Sequence, residues 1–181
     1  IVQLNNGHMI QFMKNATNQV AMAISTDNGA SWGEVTYASG ITEPYCNLSA
    51  IHYPEKIVDP RDGEAKEAII FANPRGTTKF TTNGREGGTV RIAFVNEDDT
   101  LDWAYSKLIE ENKFLYCSLT VMNNGDIGMI YEHEGYATVG AAFTSFSPEY
   151  IMDGNTYENT PAPVNITASI VDAAGQETDI L

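Results

Sequence analysis

The octet Ser25-Thr26-Asp27-Asn28-Gly29-Ala30-Ser31-Trp32 decides the fold class, because its residue types suit a tight turn between two strands. The apolar run 20–24 precedes it and alternating apolar residues follow it up to Tyr37, so the octet is predicted at the tip of a β-hairpin. Its central Asp-Asn-Gly tolerates the positive φ angles of such a reversal. The Ser25 hydroxyl and Asp27 carboxylate can accept hydrogen bonds from N–H groups of the turn, and Trp32 can fold back over it.

Composition narrows the class of protein. With 43% apolar and 19% charged side chains over 181 residues, the chain can bury a sizeable core and is not a disordered tail. Ten basic against 24 acidic residues give a net charge of −14, which disfavours nucleic acid and anionic membranes as partners. No stretch reaches the roughly 18 apolar residues of a membrane span. An anionic ligand can still bind in a locally basic pocket.

The cysteines and histidines do not suggest a metal site. Cys46 and Cys117 lie in strand-like segments without C-x-x-C spacing, so we expect small buried apolar residues and leave a disulfide open. His8, His52 and His133 lack ligand spacing. The many carboxylates leave a bound calcium open, but no D-x-D-x-D-G loop supports one. No metal and no cofactor are expected.

Almost the whole chain has the pattern of antiparallel strands separated by turn clusters, and no segment has a convincing helical period. The predicted strands are Ile1–Leu4, Met9–Met13, Val20–Thr26, Glu34–Ala38, Leu48–Tyr53, Ala68–Ala72, Thr89–Val95, Trp103–Leu108, Cys117–Met122, Ile127–Glu132 and Ala137–Phe146.

Similar segments within the chain favour a repeat architecture. Residues 4–10 and 122–128 are both apolar-Asn-Asn-Gly turns with apolar flanks, and 96–103 keeps the acidic turn and the tryptophan of the octet but not its glycine. Such hairpins suit the four-stranded blades of a β-propeller, and residues 1–152 would make about three blades, too few to close a ring.

The two ends of the chain differ from each other in sequence pattern. The stretch 153–163 is polar and contains prolines, which is typical of a linker. Residues 164–181 begin with one strand pattern, predicted either as the start of a following module or as a strand that packs on the last blade. Ile1 already lies in a strand pattern, so we expect the chain to be a C-terminal piece of a longer protein.

Over residues 1–152 the chain resembles the C-terminal half of bacterial sialidases (neuraminidases), whose propellers repeat an Asp-box of the form S-x-D-x-G-x-[ST]-W, complete here at 25–32. Asp-boxes also occur in non-hydrolytic propellers. The resemblance implies part of an all-β, six-bladed propeller of four-stranded antiparallel sheets. Segments similar to that family occur in the family's order, namely residues 1–7, 12–15, 48–52, 71–74, 85–90, 114–119 and 127–132.

The resemblance also implies an activity. Those enzymes are secreted or cell-surface exo-α-sialidases that release terminal sialic acids with retention and without a cofactor. They use three arginines on the sugar carboxylate, a Tyr–Glu nucleophile pair and an Asp acid/base. Tyr116 falls on the nucleophile position. The anomeric carbon of sialic acid bears a carboxylate, which would repel an anionic Asp or Glu nucleophile but not a neutral phenol. Without the surrounding motif, Tyr116 would be predicted as a core aromatic at a strand end.

Two basic residues fall on positions of the arginine triad. Arg85 matches the third arginine, whose planar fork binds a carboxylate with two hydrogen bonds; a solvated loop arginine is the alternative, and Arg75 is a nearby competitor. Lys14 stands in Phe-Met-Lys-Asn where the family has its second arginine. A lysine is a point charge without the fork, so this residue departs from the family pattern.

Two further residues are expected to support the site. Glu132 matches a glutamate that braces the first triad arginine, and Asn47 is either at the pocket rim or a turn asparagine. The family places the first arginine, the Asp acid/base and the activating glutamate before the position of Ile1. The predicted partners are therefore sialylated glycans and an N-terminal half of the propeller, and the isolated chain is predicted to be inactive. A non-catalytic glycan-binding or structural Asp-box module is the alternative.

Overall fold

The computed structural model describes residues 1–76, 84–133, 140–153, 169–171 and 177–179. The described residues form antiparallel sheets and one short helix. The elements are β1 Val2–Gln3, β2 Met9–Met13, β3 Gln19–Ser25, β4 Thr36–Thr42, β5 Ser49–His52, β6 Ile57–Val58, β7 Ala65–Lys66, β8 Ala68–Pro74, β9 Glu86–Val95, β10 Leu101–Lys113, β11 Cys117–Val121, β12 Ile127–His133, β13 Gly140–Phe146, α1 Pro148–Met152, β14 Ser169–Val171 and β15 Glu177–Asp179.

Three of the sheets have the form of propeller blades. Blade 1 has the order β1-β2-β3-β4, and blade 2 has the order β5-β8-β9-β10. Blade 3 runs β11-β12-β13-β14-β15, and β14 joins it through the pairing of Ser169 with Phe143. The predicted all-β architecture of four-stranded antiparallel blades is confirmed, as part of a propeller. The division of the chain into propeller, linker and following segment stays a prediction.

The apolar faces of the blades pack on one another. Strand β8 is buried along its whole length because its side chains alternate between two cores. Ile69 and Phe71 join the core against blade 1, while Ile70 and Ala72 join the core against blade 3. This two-sided burial explains why residues 68–72 form a continuous apolar run rather than an alternating one. Strand β5 contacts both β1 and β11, so the first strands of the three blades lie side by side.

The two Asn-Asn-Gly turns occupy equivalent places, as the repeat predicted. Gly7 joins β1 to β2 at φ +86°, and Gly125 joins β11 to β12 at φ +87°. In each turn the glycine N–H donates to the carbonyl three residues earlier, on Leu4 and on Met122, at 2.9 Å. The degraded octet at 96–103 likewise joins β9 to β10, the position that the Asp-box has between β3 and β4.

The sequence missed some elements and misplaced some boundaries. The hairpin β6–β7 and helix α1 were not predicted, since two-residue strands and a five-residue helix are too short to show a period. Strand β4 begins at Thr36 and extends to Thr42; Val35, just before it, and Tyr37, within it, are 52% and 47% exposed. The predicted strand Ala137–Phe146 is confirmed from Gly140, and its first residues lie outside the described part of the chain.

Candidate active site

Four side chains from three blades meet at one edge of the sheets: Lys14, Tyr45, Arg85 and Tyr116. The Arg85 guanidinium lies 5.8 Å from the centre of the Tyr116 ring, and Arg85 Nη2 donates to the Tyr45 carbonyl at 2.8 Å. The Lys14 ammonium lies 4.7 Å from the centre of the Tyr45 ring. The structure therefore brings together Lys14, Arg85 and Tyr116, which the sequence proposed as carboxylate ligands and nucleophile. Tyr45, which links Lys14 to Arg85, was not singled out in the sequence.

Strand direction explains why these residues share an edge. Lys14 follows the end of β2, and the loop 43–48, which carries Tyr45, follows the end of β4. Arg85 and Tyr116 directly precede β9 and β11. Strand β9 runs parallel to β5 because both pair antiparallel with β8. Strand β11 also runs alongside β5 in the same direction, as two cross-blade hydrogen bonds show: Cys117 N–H to Asn47 Oδ1 at 3.2 Å, and Leu119 N–H to Ser49 Oγ at 3.0 Å.

Arg85 is buried just before β9, where the following glycines leave room for neighbouring side chains. Its side chain is 8% exposed, and its carbonyl accepts from Phe114 N–H at 3.0 Å. A Cβ on Gly88 would lie 2.1 Å from the Phe114 ring, so the glycine allows that ring to pack beside the start of β9. The competitor Arg75 packs its side chain across Gly87, where a Cβ would lie 2.5 Å from Arg75 Cγ. Of the two arginines, Arg85 is thus the one that faces Tyr116.

Tyr116 is anchored by its neighbours while its own ring stays accessible. Phe114 and Leu115 are 0% and 2% exposed, whereas Tyr116 is 47% exposed. Glu132 N–H donates to the Tyr116 carbonyl at 2.8 Å, and the Glu132 carbonyl accepts from Leu115 N–H at 2.9 Å, so Glu132 is bonded to both residues just before β11. The backbones of Tyr116 and Glu132 are therefore adjacent at the site edge of blade 3. Among the described residues, no cation lies within ion-pair distance of Glu132.

The loop 43–48 connects the site residues, and sequence reasoning missed most of it. Tyr45 has φ +61°, an unusual conformation for a residue with a side chain. Glu43 is fully buried, and its Oε1 accepts from Cys46 N–H at 2.5 Å. Asn47 is exposed and binds the start of β11 through Cys117 N–H, which is a supporting contact beside Tyr116. The sequence feature that could have indicated this loop is Glu43-Pro44, a carboxylate followed by proline between two strands.

The two cysteines are free and buried, as predicted for small apolar residues. Cys46 Sγ contacts the Leu115 carbonyl at 3.2 Å, and Cys117 Sγ contacts the Ala72 carbonyl at 3.7 Å. Burial raises the pKa of Cys46 to about 11 and that of Cys117 to about 12. Both thiols therefore stay protonated near neutral pH and are unsuited to act as nucleophiles or metal ligands.

The Asp-box lies at the other end of blade 1. Strand β3 starts at the site edge, where Gln19 pairs with Thr42, and ends at Ser25. As predicted, the polar groups of the box satisfy its own turn: Gly29 N–H donates to Ser25 Oγ at 2.9 Å, and Ser31 N–H donates to Asp27 Oδ1 at 2.8 Å. Hydrogen bonds from Ser31 and Ser25 lower the pKa of Asp27 to about 2. Trp32 packs against Gly29, far along the strand from Lys14.

Comparison with known proteins points to the same family, although no protein-family profile matches the chain. It is 29% identical over 143 residues to the anhydrosialidase of Macrobdella decora, covering 73% of this chain and 17% of that protein. It is 33% identical over 103 residues to sialidase B of Streptococcus pneumoniae, covering 54% and 13%. The solved structure of the NanB sialidase from Streptococcus pneumoniae superposes with a TM-score of 0.70 at 28% identity, over 83% of this chain and 23% of that one. The chain is sialidase-like.

The sialidase-like chain spans only part of its relatives. It covers 13% to 19% of the length of the two proteins above and of the sialidase of Micromonospora viridifaciens. Within the described ranges, no three His, Cys, Asp or Glu side chains are grouped so that they could hold a metal ion. The helix in the described part of the chain is too short to cross a membrane.

Proposed function

We propose that this chain is part of the catalytic propeller of a bacterial exo-α-sialidase, secreted or at the cell surface, which releases terminal sialic acids from glycoconjugates with retention. The observation that carries the proposal is the Arg85 guanidinium 5.8 Å from the centre of the half-exposed Tyr116 ring. A fixed cation beside an accessible phenol is the arrangement needed to bind a carboxylate next to an attacked carbon. The relatives named sialidase support the same interpretation.

In the proposed mechanism, Arg85 and Lys14 bind the carboxylate of the sugar. Tyr116 Oη attacks the anomeric carbon as the bond to the leaving oxygen breaks, which gives a covalent glycosyl-enzyme, and water then displaces Tyr116 Oη and releases the sugar with net retention. A phenol of pKa about 10 is a weak nucleophile until a carboxylate accepts its proton. We assign that carboxylate, the acid for the leaving oxygen and the first triad arginine to blades that precede this chain. The chemistry requires no cofactor.

The outward face of blade 3 suggests where those blades sit. Glu132 follows Tyr131, which packs on blade 2, so the Glu132 side chain lies on the opposite face of blade 3. A partly buried carboxylate at a strand end is stabilised by a cation from whatever covers it. An N-terminal half that supplies an arginine there would pair with Glu132 and complete the carboxylate site. This half and sialylated glycans are the proposed partners.

The test is Tyr116→Phe in the protein that contains all blades. Removal of the phenolic oxygen deletes the nucleophile and little packing, so turnover of a fluorogenic sialoside should fall on the order of 10³-fold or more with an unchanged melting temperature. Tyr37→Phe is the matched control, because Tyr37 is also 47% exposed but lies on β4. Near-normal turnover by Tyr116→Phe would exclude Tyr116 as the nucleophile.

The alternative is a glycan-binding module without catalysis, and Lys14 is the observation that favours it. An ammonium binds a carboxylate as a point charge, so it supports affinity more readily than exact orientation. The two functions differ in one measurement: a binding module would hold sialyllactose with equal affinity in wild type and Tyr116→Phe and would cleave it in neither.

A further inference from the structure

The loop 43–48 is organised around a buried carboxylate that the proposed mechanism does not use. Glu43 is 0% exposed, directly follows β4, and its backbone N–H donates to the Asn18 carbonyl at 3.2 Å. Its Oε1 accepts from Cys46 N–H at 2.5 Å. Burial raises the pKa of Glu43, and N–H groups of Cys46, Asn15 and Tyr45 together with the Lys14 ammonium act in the opposite direction. The carboxylate thus binds the loop backbone, and the Lys14 ammonium is near enough to favour its charged form.

A buried carboxylate is costly unless its interactions compensate it, and a loop between two strands does not need one to reverse direction. What this loop does need is a means to hold Tyr45 at φ +61°. Residues with side chains adopt that region only when their surroundings impose it. Glu43 bridges back to Cys46 N–H across Tyr45, so it closes the turn in which Tyr45 has this conformation.

Tyr45 in turn contacts both cations of the site. Its carbonyl accepts from Arg85 Nη2 at 2.8 Å, and its ring lies 4.7 Å from the Lys14 ammonium. If the turn relaxed to negative φ, the carbonyl and the ring of Tyr45 would turn together about its N–Cα bond and leave their present positions, so Arg85 and Lys14 would lose a common support. The position of one cation relative to the other therefore depends on the turn that Glu43 closes.

We infer that Glu43 is a positioning residue for substrate carboxylate binding: it fixes the Tyr45 turn and, through it, the placement of Lys14 and Arg85. The inference rests on the proposed function, since it assigns Glu43 to the same site. Glu43 does not touch the sugar. Its effect is on ground-state binding, because the substrate carboxylate is bound before and during the reaction alike.

The decisive variant is Glu43→Gln in the protein with all blades. Glutamine keeps an oxygen for Cys46 N–H but removes the negative charge, so the charge-assisted bond that closes the Tyr45 turn becomes a weaker neutral one. We expect KM for a sialoside to rise about tenfold with kcat within about twofold, the signature of lost uniform binding. Glu55→Gln is the matched control, as Glu55 is exposed on the loop after β5 and its variant should keep the wild-type KM.

A substrate without the negative charge separates positioning from a general loss of structure. With the carboxamide analogue of the sialoside, wild type and Glu43→Gln should have the same KM, because the cations then have no carboxylate to bind. An equal loss on both substrates, or a fall in kcat with unchanged KM, would overturn the inference and indicate a merely structural role.

Two further arms keep the experiment decisive. Glu43→Asp retains the charge but withdraws it from Cys46 N–H by one methylene, and it should raise KM if Glu43→Gln does not fold; a folded Glu43→Asp with wild-type KM contradicts the inference. In a double-mutant cycle, Glu43→Gln should raise KM by a smaller factor in Lys14→Met than in wild type, since part of its effect is exerted through Lys14. If wild type itself cleaves no sialoside, the proposed function fails and this inference fails with it, whereas normal wild-type turnover with an unaffected Glu43→Gln rejects the inference alone.

Discussion

At the scale of single residues, the polar side chains that organise the chain act mostly on nearby backbone. Asp27 accepts from Ser31 N–H at 2.8 Å and from the Ser31 hydroxyl at 2.6 Å, within its own turn. Glu43 accepts from Cys46 N–H, three residues on. The difference is exposure, since Asp27 lies at the surface and Glu43 is fully buried. Short-range bonds of the same kind thus support a surface turn in one case and a candidate active site in the other.

The Asp27 carboxylate leads to a pH prediction. Its pKa is about 2 in the folded chain and 3.8 for an aspartate in an unstructured peptide, so its stabilising effect is fully present above about pH 4 and is lost as the pH falls through about 2. Asp27→Asn cannot accept the second bond from Ser31 and should lower the melting temperature at pH 7. The gap between wild type and Asp27→Asn should shrink as the pH is lowered from about 4 to about 2, measured by circular dichroism. Glu34→Gln, outside the hydrogen-bonded turn, is the control, and a constant gap would refute the assignment.

At the scale of elements, turn chemistry fixes the register of the hairpins. The β1–β2 and β11–β12 turns have the same sequence type, the same hydrogen bonds and nearly the same glycine φ, +86° and +87°. In contrast, the β9–β10 turn places Asp99 at φ +62° in the absence of a glycine. There the Asp99 carboxylate contacts His8 Nδ1 at 2.6 Å and accepts from Asn6 Nδ2 at 2.7 Å, so it links the turn of blade 2 to that of blade 1.

The Gly7 turn can be tested by substitution. Nothing lies within 4 Å of a Cβ at this position, so the effect of Gly7→Ala is purely conformational. A left-handed alanine costs about 1 kcal/mol, which should lower the melting temperature by about 2–4 °C. Gly7→Asn should lose less, because asparagine tolerates this region. Equal melting temperatures for glycine, alanine and asparagine would show that the turn is not kept in this conformation in solution.

At the scale of the whole molecule, the blades bury one another's faces in series. Blade 2 is covered on both sides, by blade 1 and by blade 3. The outward face of blade 3 is different: Ile130 and Phe143 are opposite each other on β12 and β13 and are 50% and 40% exposed. A sheet face with exposed apolar residues favours association with a further layer.

The last prediction concerns the 181-residue chain by itself. We expect it not to cleave a fluorogenic sialoside, because residues that act as a unit lose function together when members are absent, and we assign three of them to preceding blades. The chain should also self-associate in light scattering, and Phe143→Asp should reduce this association. Addition of the preceding blades should restore cleavage. Turnover by the chain alone would place the acid, the base and the complete carboxylate site within these residues and refute our assignment.

The local features of the fold were accessible from the sequence. The Asp-box turn, the Asn-Asn-Gly hairpins and most strands were predicted correctly, because turn residues and alternation act over a few neighbouring positions. The resemblance to sialidases, carried by ordered motifs, pointed to Lys14, Arg85 and Tyr116, which the structure brings to one edge. Each of these features belongs to a short segment, so a few neighbouring residues are enough to predict it.

The tertiary structure alone decided how the segments meet. Tyr45 supports Arg85, 40 positions away in the chain, and nothing in the residues around either one indicates the other. Helix α1 packs against β9 and β10 of blade 2, and both α1 and the β6–β7 hairpin are too short to be periodic. In the sequence Glu43 resembles an ordinary loop acid, and only the structure shows its complete burial and its bond to Cys46 N–H. The physical reason is the same in each case: contacts between distant segments depend on the summed geometry of the blades, which no local pattern encodes.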